Sequence, residues 1–402
     1  MFSLAHKKES VSLLLDIGNG NVSAGLVVCT PDALPRLIYS TTSPILVGKD
    51  RDADLLSTAM ISQLNNTLTD IMKTGFMSEY WKGKDKKIDA VTVSVSTPWF
   101  VSTSKHIHIT QPKPFFVTER FISDVVDAEQ KSFEQELGIA DDHSDNHLSP
   151  LEHAITHTRI NGYVLDDSIG KKTSQFDMLV YISETPTALL QDIYKTIFAH
   201  THIAHDAIYT HSFPFVCYSA LQVVMPFMAD YLIMDVTGEV TDITWVSNGS
   251  ITKTSSFPSG RGFVLRHIAQ TFSVSPEIAE SLLHMYIGGM SDDSVNESMK
   301  TVFTEIHREW SVYIDDALTG LSSTMSLPSK VFVTADHDIS QLCVDFLKTL
   351  QQDTTQSFKK HIDPVYVDDK LFSRHFTYNP HLPANEFLAL LAIFHNKQYA
   401  HK

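Results

Sequence analysis

The sequence predicts an α/β protein built from two similar domains, with a smaller α+β module inserted into the first. Three observations support this prediction. Two apolar, β-branched segments joined by a short turn open the chain at 11–29, and the same arrangement returns at 231–256. Residues 105–200 show a different pattern, in which segments of alternating apolar and polar residues flank amphipathic helices. Strand, hairpin, strand, helix, strand is an α/β order, and its return at domain scale indicates an internal repeat.

The composition is that of an ordinary globular protein and excludes several classes. With 402 residues, the chain is long enough for two or three packed domains. A formal net charge of −16 argues against binding a nucleic-acid backbone, which needs clustered Lys and Arg. The 20 histidines are scattered without the spacing of a zinc site. Cys29, Cys217 and Cys343 lie far apart, as buried thiols in a reducing compartment do, and the apolar N-terminal run is too short for a signal peptide.

The elements divide the chain into six segments. The first domain comprises 10–104 and 201–228, and the module is 105–200 between them. The second domain comprises 229–262 and 328–402, with a helical subdomain at 263–327 inside it. The last predicted helix, at 383–396, is apolar, and we expect it to pack into the second domain.

The first predicted turn places glycines beside an aspartate. Asp16 ends the first strand, and Gly18, Asn19, Gly20 and Asn21 form the turn. Glycines let backbone N–H groups approach phosphate oxygens because no Cβ stands in the way. An aspartate at a strand end can hold a hydrated Mg²⁺. Taken alone, the pattern also fits an ordinary hairpin.

The second predicted turn repeats this logic in the other domain. Asp235 ends an apolar strand, Thr237, Gly238 and Glu239 form the turn, and Thr241 opens the next strand. Two such turns, one in each domain, could face each other across a cleft and hold the phosphates of a nucleotide between them. The alternative is two unrelated hairpins.

The pair of turns resembles a known superfamily. The pattern DxGxG with Ala24-Gly25 behind it, followed by DxxGxxTD, looks like the phosphate-1 and phosphate-2 loops of actin, sugar kinases and heat-shock chaperones. The resemblance implies an actin-like (ribonuclease H-like) fold with duplicated domains, and ATP with Mg²⁺ bound between them. It implies that Asp16 and Asp235 are metal ligands and catalytic residues, and that Gln222 positions an attacking water.

Within this superfamily the chain is similar to the FtsA/PilM branch of cell-division and type IV pilus assembly proteins. The strand at 91–96 leads directly into Pro98-Trp99 and the module, and the hairpin at 162–166 followed by Gly170-Lys171 looks like the module of FtsA. Residues 259–262 and Ala279-Glu280 match the Gly-Gly and Ala-Glu positions of that branch. The cofactor-binding residues implied are Gly18, Asn19, Gly20, Asn21, Thr237, Gly238, Glu239, Thr241, Gly260, Arg261, Glu280, Thr334, Ala335 and Asp336.

Several positions depart from the pattern of the superfamily. Ser23 stands where actin has a lysine, Thr237 replaces a glycine of the second turn, and Leu283 replaces a lysine. The segment 334–338, predicted as a loop over the adenine, contains no glycine and carries two carboxylates. These departures predict nucleotide binding that is weak, altered or lost.

The resemblance implies a nucleotide-gated cytoplasmic scaffold with at most slow ATPase activity, serving a pilus, secretion or cell-division machine. Its partners would be a short cytoplasmic peptide of an inner-membrane protein or a tubulin-like division protein, with homo-oligomers or filaments as a further expectation. Because the final helix leads almost directly to residue 402, we expect attachment to the inner membrane through a partner and no direct membrane anchor. Two alternatives stay open: a nucleotide-free pseudo-ATPase adaptor of the same fold, and a small-molecule kinase.

Overall fold

The computed structural model describes residues 9–31, 33–45, 53–138, 147–165, 167–322, 327–353, 362–379 and 381–399. Its strands are β1 Ser10–Ile17, β2 Asn21–Cys29, β3 Arg36–Pro44, β4 Ala90–Val95, β5 Val101–Phe116, β6 Leu148–Ile160, β7 Tyr163–Val164, β8 Lys172–Pro186, β9 Ile208–Ser212, β10 Tyr231–Val236, β11 Thr241–Ser247, β12 Ser250–Phe257, β13 Lys330–Ala335, β14 Asp363–Tyr366 and β15 Thr377–Tyr378. Its α-helices are α1 Ala53–Lys73, α2 Glu119–Glu136, α3 Thr187–Thr201, α4 Phe213–Val224, α5 Arg261–Phe272, α6 Pro276–Ile287, α7 Asp293–Leu321, α8 His337–Asp353, α9 Asp369–Phe372 and α10 Glu386–Gln398. Most of the predicted acidic loop at 138–147, and residue 166, lie outside the described residues.

The first domain is built on a six-stranded sheet in the order β15-β3-β2-β1-β4-β9. The predicted hairpin of β1 and β2 is antiparallel, and β4 runs parallel to β1. Leu13, Leu14 and Leu15 are all fully buried, because helices cover both faces of the sheet. A continuous apolar run is what a strand buried on both faces requires.

The second domain repeats this plan in a five-stranded sheet, in the order β12-β11-β10-β13-β14. Strands β10 and β11 form the antiparallel hairpin, and β13 runs parallel to β10 as β4 does to β1. Helix α7 packs an apolar stripe that includes Val302, Ile306, Trp310 and Ile314 against this domain. The spacing of about four residues keeps these side chains on one helix face. The predicted internal repeat is therefore a repeat of topology.

The inserted module is a four-stranded antiparallel sheet in the order β5-β8-β6-β7, with α2 on one face. Thr118 is the N-cap of α2: its Oγ1 accepts a hydrogen bond from Phe121 N over 3.1 Å. Phe176, Met178 and Val180 alternate along β8 and are buried on the α2 side. The opposite face of the sheet is directed towards β12 of the second domain, where β12 contacts β5, β6 and β8.

Two of the predicted domain boundaries are wrong. Helix α3, assigned to the module, packs on α1, and its Ile193 and Ile197 belong to the core of the first domain. The final helix α10 packs on α4 and β1, and β15 pairs with β3, so these two elements belong to the first domain. Sequence alone did not show that the chain returns to the sheet in which it began.

Within the described residues, no helix is both long and apolar enough to cross a membrane.

Candidate functional site: the crevice between the two hairpin turns

Each hairpin domain buries one aspartate at the end of its first strand. Asp16 at the end of β1 is 3% exposed, and Asp235 near the end of β10 is 2% exposed. The neighbouring parallel strand supplies a hydroxyl to each carboxyl: Ser94 Oγ donates to Asp16 Oδ1 over 2.6 Å, and Thr334 Oγ1 donates to Asp235 Oδ1 over 2.7 Å. The two halves of the chain therefore build the same local site twice.

The buried carboxyls of the crevice hold their protons more tightly than ordinary carboxyls. Burial raises the pKa of Asp16 to about 7, against the opposing hydrogen bond from Ser94. Burial raises the pKa of Asp235 well above its usual range, and the charges of Asp242, Asp16 and Asp336 add to this effect. Burial also raises the pKa of Asp336 to about 6, although the charge of Arg261 opposes it. Several carboxyls thus share a buried region with too little positive charge to ionise them all.

The two turns touch each other directly. The buried Asn19 side chain spans the gap, because its Oδ1 accepts a hydrogen bond from Glu239 N over 3.0 Å and its Nδ2 donates to Thr97 O over 2.8 Å. Gly20 packs against Gly238 so closely that a Cβ built on Gly238 would lie 2.6 Å from Gly20 Cα. Only glycines allow two backbones to approach this closely. The predicted cleft between the turns is closed in this conformation.

A cavity of about 460 Å³ lies beside the touching turns. Its size is within the range of small-molecule pockets, roughly 300–1,000 Å³. It is lined by Gly20, Asn21, Thr42, Pro44, Arg261, Glu280, His284, Ile287, Gly288, Asp336, His337 and Asp338. The first turn, the start of α5, helix α6 and the start of α8 thus meet around one space.

Arg261 is the central cation of this cavity and is engaged by several carboxylates. Its Nη2 donates to Asp338 Oδ2 over 2.6 Å and also to Glu280, and its Nε lies 3.7 Å from Asp336 Oδ2. His284 Nε2 lies 3.2 Å from Asp338 Oδ2. The ligand atoms of Glu280, His284 and Asp338 lie within 4.8 Å of one another, which is a spacing a metal ion could use. Arg261 already bonds to both carboxylates of this group, however, and offsets their charge.

Most of the predicted site residues lie around the crevice, but several use their polar groups within the protein. Thr237 Oγ1 donates to Val240 O over 2.7 Å inside its own turn. Thr241 Oγ1 donates to Ser259 O over 2.5 Å and is fully buried. Thr334 bonds to Asp235, and Ala335 is completely buried. The residues that line the cavity or join the turns are Asn19, Gly20, Asn21, Gly238, Glu239, Arg261, Glu280 and Asp336.

The structure does not bring the predicted catalytic Gln222 to the crevice. Its Nε2 lies 3.4 Å from the hydroxyl of Tyr231, which begins β10, whereas Asp235 lies four residues further along that strand. Four residues of strand span about 13 Å. Helix α4 starts beside the crevice, after β9, and runs away from it, so its last turn lies at the other end of the sheet.

The structure contains no extended loop at 334–338, where the sequence predicted one. Thr334 and Ala335 belong to β13, and α8 begins at His337, so Asp336 alone connects the strand to the helix. Asn21 Nδ2 donates to Asp336 Oδ1 over 2.9 Å, which joins this connection to the first turn. Sequence reasoning did not assign His284 to the site, although its position four residues after Glu280 on a predicted helix placed both on one face.

The buried carboxyls of the crevice suit a cation better than they suit a nucleoside triphosphate. Asp235 Oδ2 is buried without a hydrogen-bond partner among the described residues, and a bound Mg²⁺ would be balanced by Asp16 and Asp235. Phosphates fit poorly between the turns, because Asn19 already accepts the N–H of Glu239 and Gly20 contacts Gly238. ATP with Mg²⁺ would therefore require the turns to separate.

Comparison with solved structures finds chains of similar fold. The PilM–PilN type IV pilus biogenesis complex aligns with a TM-score of 0.58 and 11% identity, covering 95% of this chain and 97% of that chain. The ethanolamine utilization protein EutJ from Carboxydothermus hydrogenoformans aligns with a TM-score of 0.44 and 12% identity, covering 96% and 90% of the two chains. A protein of Bacteroides thetaiotaomicron with an actin-like ATPase fold and unknown function aligns with a TM-score of 0.40 and 9% identity, covering 97% and 98%.

The chain therefore has the actin-like ATPase fold, with duplicated domains and an inserted module, as the sequence predicted. No protein-family model and no curated protein matches the chain. At 11% identity, the likeness to PilM concerns the fold.

Proposed function

We propose that this protein is an interaction scaffold of the actin-like fold, whose two domains are held together across the crevice by their own turns and not by a nucleotide. The observation that supports this most directly is the Asn19 bridge. The carboxamide oxygen of Asn19 accepts the N–H of Glu239, which is the kind of backbone donor that a phosphate would otherwise engage.

The charges around the crevice favour the same proposal. A triphosphate would enter a space bordered by Asp336, Asp338 and Glu280, whose main counter-charge, Arg261, is already bonded to Asp338 and Glu280. Like charges at close range disfavour each other, and the effect is strongest where water is excluded. The closed crevice instead uses uncharged contacts between the turns.

A scaffold needs a partner, and the likeness to PilM suggests its kind. The solved relative is a complex of PilM with PilN, in type IV pilus biogenesis. We propose that this chain likewise binds another protein, in the cytoplasm and next to the inner membrane. A short cytoplasmic peptide of a membrane protein is the first candidate, and a division protein or further copies of this chain are the others.

A nucleotide-gated scaffold is the second candidate, and the 460 Å³ cavity favours it. A nucleoside could occupy that cavity while Asp16 and Asp235 hold Mg²⁺ for its phosphates. Asn19 would then have to release Glu239 N, so nucleotide binding and opening of the turns would be one event.

Thermal unfolding with and without millimolar ATP and Mg²⁺ separates the two candidates. A nucleotide at a hundred times its dissociation constant stabilises the folded protein by about 2.7 kcal/mol. The adaptor proposal predicts no shift for the wild-type protein. A shift that Asp16→Ala abolishes would overturn the adaptor proposal and support the nucleotide-gated scaffold.

The Asn19 bridge has its own test. Asn19→Ala should loosen the closed crevice, detected as faster proteolysis between the domains and a larger radius of gyration in solution scattering. The control is Asn66→Ala, because Asn66 is exposed on α1 and its side-chain amide donates to Gln63 within that helix. An equally compact Asn19→Ala protein would contradict the proposed role of the bridge.

A further inference from the structure

Helix α6 and the start of α8 bring one imidazole and two carboxylates together at the wall of the crevice cavity. Glu280 and His284 are four residues apart on α6, so their side chains lie on the same face of that helix. Asp338 is in the first turn of α8, which contacts α6. The ligand atoms of these three side chains all lie within 4.8 Å of one another. No other group of three such side chains meets this spacing among the residues that the structure describes.

The distances within this group suit a single metal ion. His284 Nε2 lies 3.2 Å from Asp338 Oδ2. Two ligands of one tetrahedral Zn²⁺ stand about 3.4 Å apart, because each lies about 2.0–2.1 Å from the ion. An ion between these two atoms therefore requires little movement of either side chain. Glu280 completes the set from the preceding turn of α6.

The charges of the cavity wall favour a divalent cation. Among the described residues that line the cavity, Glu280, Asp336 and Asp338 are acidic, and Arg261 is the one lysine or arginine. When the three carboxylates are ionised, a single arginine leaves two negative charges uncompensated. A divalent ion cancels these two charges, whereas a triphosphate adds to them.

The hydrogen bonds of Arg261 are compatible with an ion at this group. Arg261 donates to Asp338 and to Glu280. The two oxygens of a carboxylate offer about four acceptor positions, so a bond to arginine leaves positions for an ion. Carboxylates that ligate a metal are themselves hydrogen-bonded by neighbouring residues, which fixes their orientation. Arg261 can position both carboxylates in this way.

The group is accessible from solvent, and its chemistry selects a kind of metal. The side chain of His284 is 57% exposed, so an ion can reach the group without an opening of the protein. Three protein ligands leave the remaining positions of the ion to water. An imidazole with two carboxylates suits Zn²⁺ and similar transition-metal ions, whereas Mg²⁺ and Ca²⁺ take oxygen ligands.

We propose that Glu280, His284 and Asp338 bind one divalent transition-metal ion of the Zn²⁺ class, with Arg261 positioning the two carboxylates. The bound ion would hold α6 against α8. The site uses neither Asp16 nor Asp235 and needs no nucleotide, so it goes beyond the proposed adaptor function and does not depend on it.

The test is a calorimetric titration of the full-length protein with Zn²⁺, after treatment with a chelator and in a constant excess of Mg²⁺. The Mg²⁺ occupies sites that attract any divalent ion, so the heat reports binding that prefers a transition metal. We expect saturation at one ion per chain. Co²⁺ replaces Zn²⁺ in a parallel titration, because its visible absorption changes when protein groups coordinate it.

A matched pair of histidine variants decides whether the ion occupies this group. His284→Gln removes the imidazole but leaves the formal charge of the wall unchanged, so a purely electrostatic attraction of ions would persist. We expect Zn²⁺ binding at least about tenfold weaker, since changing even a hydrogen-bond partner of a metal ligand costs about 10–100-fold. His381→Gln is the control, because His381 is exposed and does not line the crevice cavity.

His284 is also exposed, so its variant should fold, and an unchanged melting curve without metal would verify this. Lack of saturation by Zn²⁺, an affinity that His284→Gln leaves unchanged, or an equal loss in both histidine variants would overturn the proposal.

Discussion

The two hairpin domains share one architecture but surround their aspartates differently. In each domain the aspartate pairs with a residue of the antiparallel return strand and with a residue of the parallel strand on its other side. The parallel neighbour is a hydroxyl residue in both, Ser94 for Asp16 and Thr334 for Asp235. The antiparallel neighbour is Ser23 in the first domain and Asp242 in the second.

This single difference changes the electrostatics of the second site. Ser23 is neutral and shares a hydrogen bond with Thr42 over 2.9 Å. Asp242 is itself a buried carboxyl whose pKa is raised to about 6, and its charge is the second largest cause that raises the pKa of Asp235. The repeated topology therefore positions a carboxyl at each turn, while one cross-strand neighbour decides how readily that carboxyl ionises.

The largest expected effect is on the pH dependence of stability. A carboxyl whose pKa is higher in the folded protein holds its proton there more tightly, so stability falls as pH rises from the unfolded pKa to the folded one. For Asp16 this interval runs from 3.8 to about 7. With about 1.4 kcal/mol for each pKa unit, the buried carboxyls together should cost several kcal/mol by neutral pH.

Urea unfolding at a series of pH values measures this loss, and Asp16→Asn and Asp235→Asn should each reduce it. The reduction should be larger for Asp235→Asn, because the charge of the neighbouring Asp242 adds to the burial that raises the pKa of Asp235. Asp192→Asn, at an exposed position on α3, should leave the profile unchanged. Equal pH profiles for the two crevice variants would contradict the electrostatic difference between the two domains.

The second prediction concerns the contact between the turns. Gly238→Ala places a Cβ 2.6 Å from Gly20 Cα, and a backbone cannot turn aside as a flexible side chain can. We expect a loss of about 1–3 kcal/mol in the free energy of unfolding, as overpacking costs elsewhere.

Two alanine variants sharpen this measurement. In Gly18→Ala the new Cβ lies 3.1 Å from Asn21 O within its own turn, so the loss should be smaller. Gly320→Ala is the control, because no atom of the described residues lies within 4 Å of a Cβ built there on α7. Helix propensity alone should stabilise this variant by up to about 1 kcal/mol. A tolerated Gly238→Ala would show that the turns are not held in contact.

The third prediction concerns a variant in which the cross-strand neighbour of Asp235 is neutral, as the neighbour of Asp16 is in the first domain. Asp242→Asn removes the charge beside Asp235 but keeps the side-chain shape, so the pKa of Asp235 should fall. Stability at about pH 8 should then rise, on the order of 1 kcal/mol for each pKa unit recovered. The measurement is chemical unfolding of the variant at about pH 5 and about pH 8; a gain of equal size at both would rule out an electrostatic cause.

The smallest effects should come from the two hydroxyls. Ser94→Ala and Thr334→Val each remove one hydrogen bond to a buried aspartate, and each should cost about 1 kcal/mol in the free energy of unfolding. Thr304→Val, on the exposed face of α7, serves as the control. Equal losses at the two sites would support the equivalence of the domains, and a loss at only one would contradict it.

Sequence reasoning was most successful for the elements whose signals are local. The hairpin at Gly18–Asn21, its counterpart at Thr237–Glu239 and the amphipathic helix α7 were all predicted, because turn residues and apolar spacing are encoded within a few neighbouring positions. The short strands β14 and β15 were missed, since two to four residues offer no period to recognise.

The candidate site was predictable only in part, for a related reason. The motif placed Asp16 and Asp235 in corresponding turns, but the same motif reasoning placed Gln222 beside them. A helix that starts near a site can end far from it, and α4 does so. His284 became a site residue only because α6 and α8 meet around Arg261.

The sequence by itself determined two hairpin domains, an inserted module and an aspartate at the end of each first strand, because periodicity and turn chemistry act between near neighbours. Only the tertiary structure decided that Asn19 meets Glu239, 220 residues away, that Arg261 lies among carboxylates from two helices, and that α10 returns to the first domain. These contacts depend on how whole elements pack against each other, and packing joins residues whose separation along the chain carries no signal.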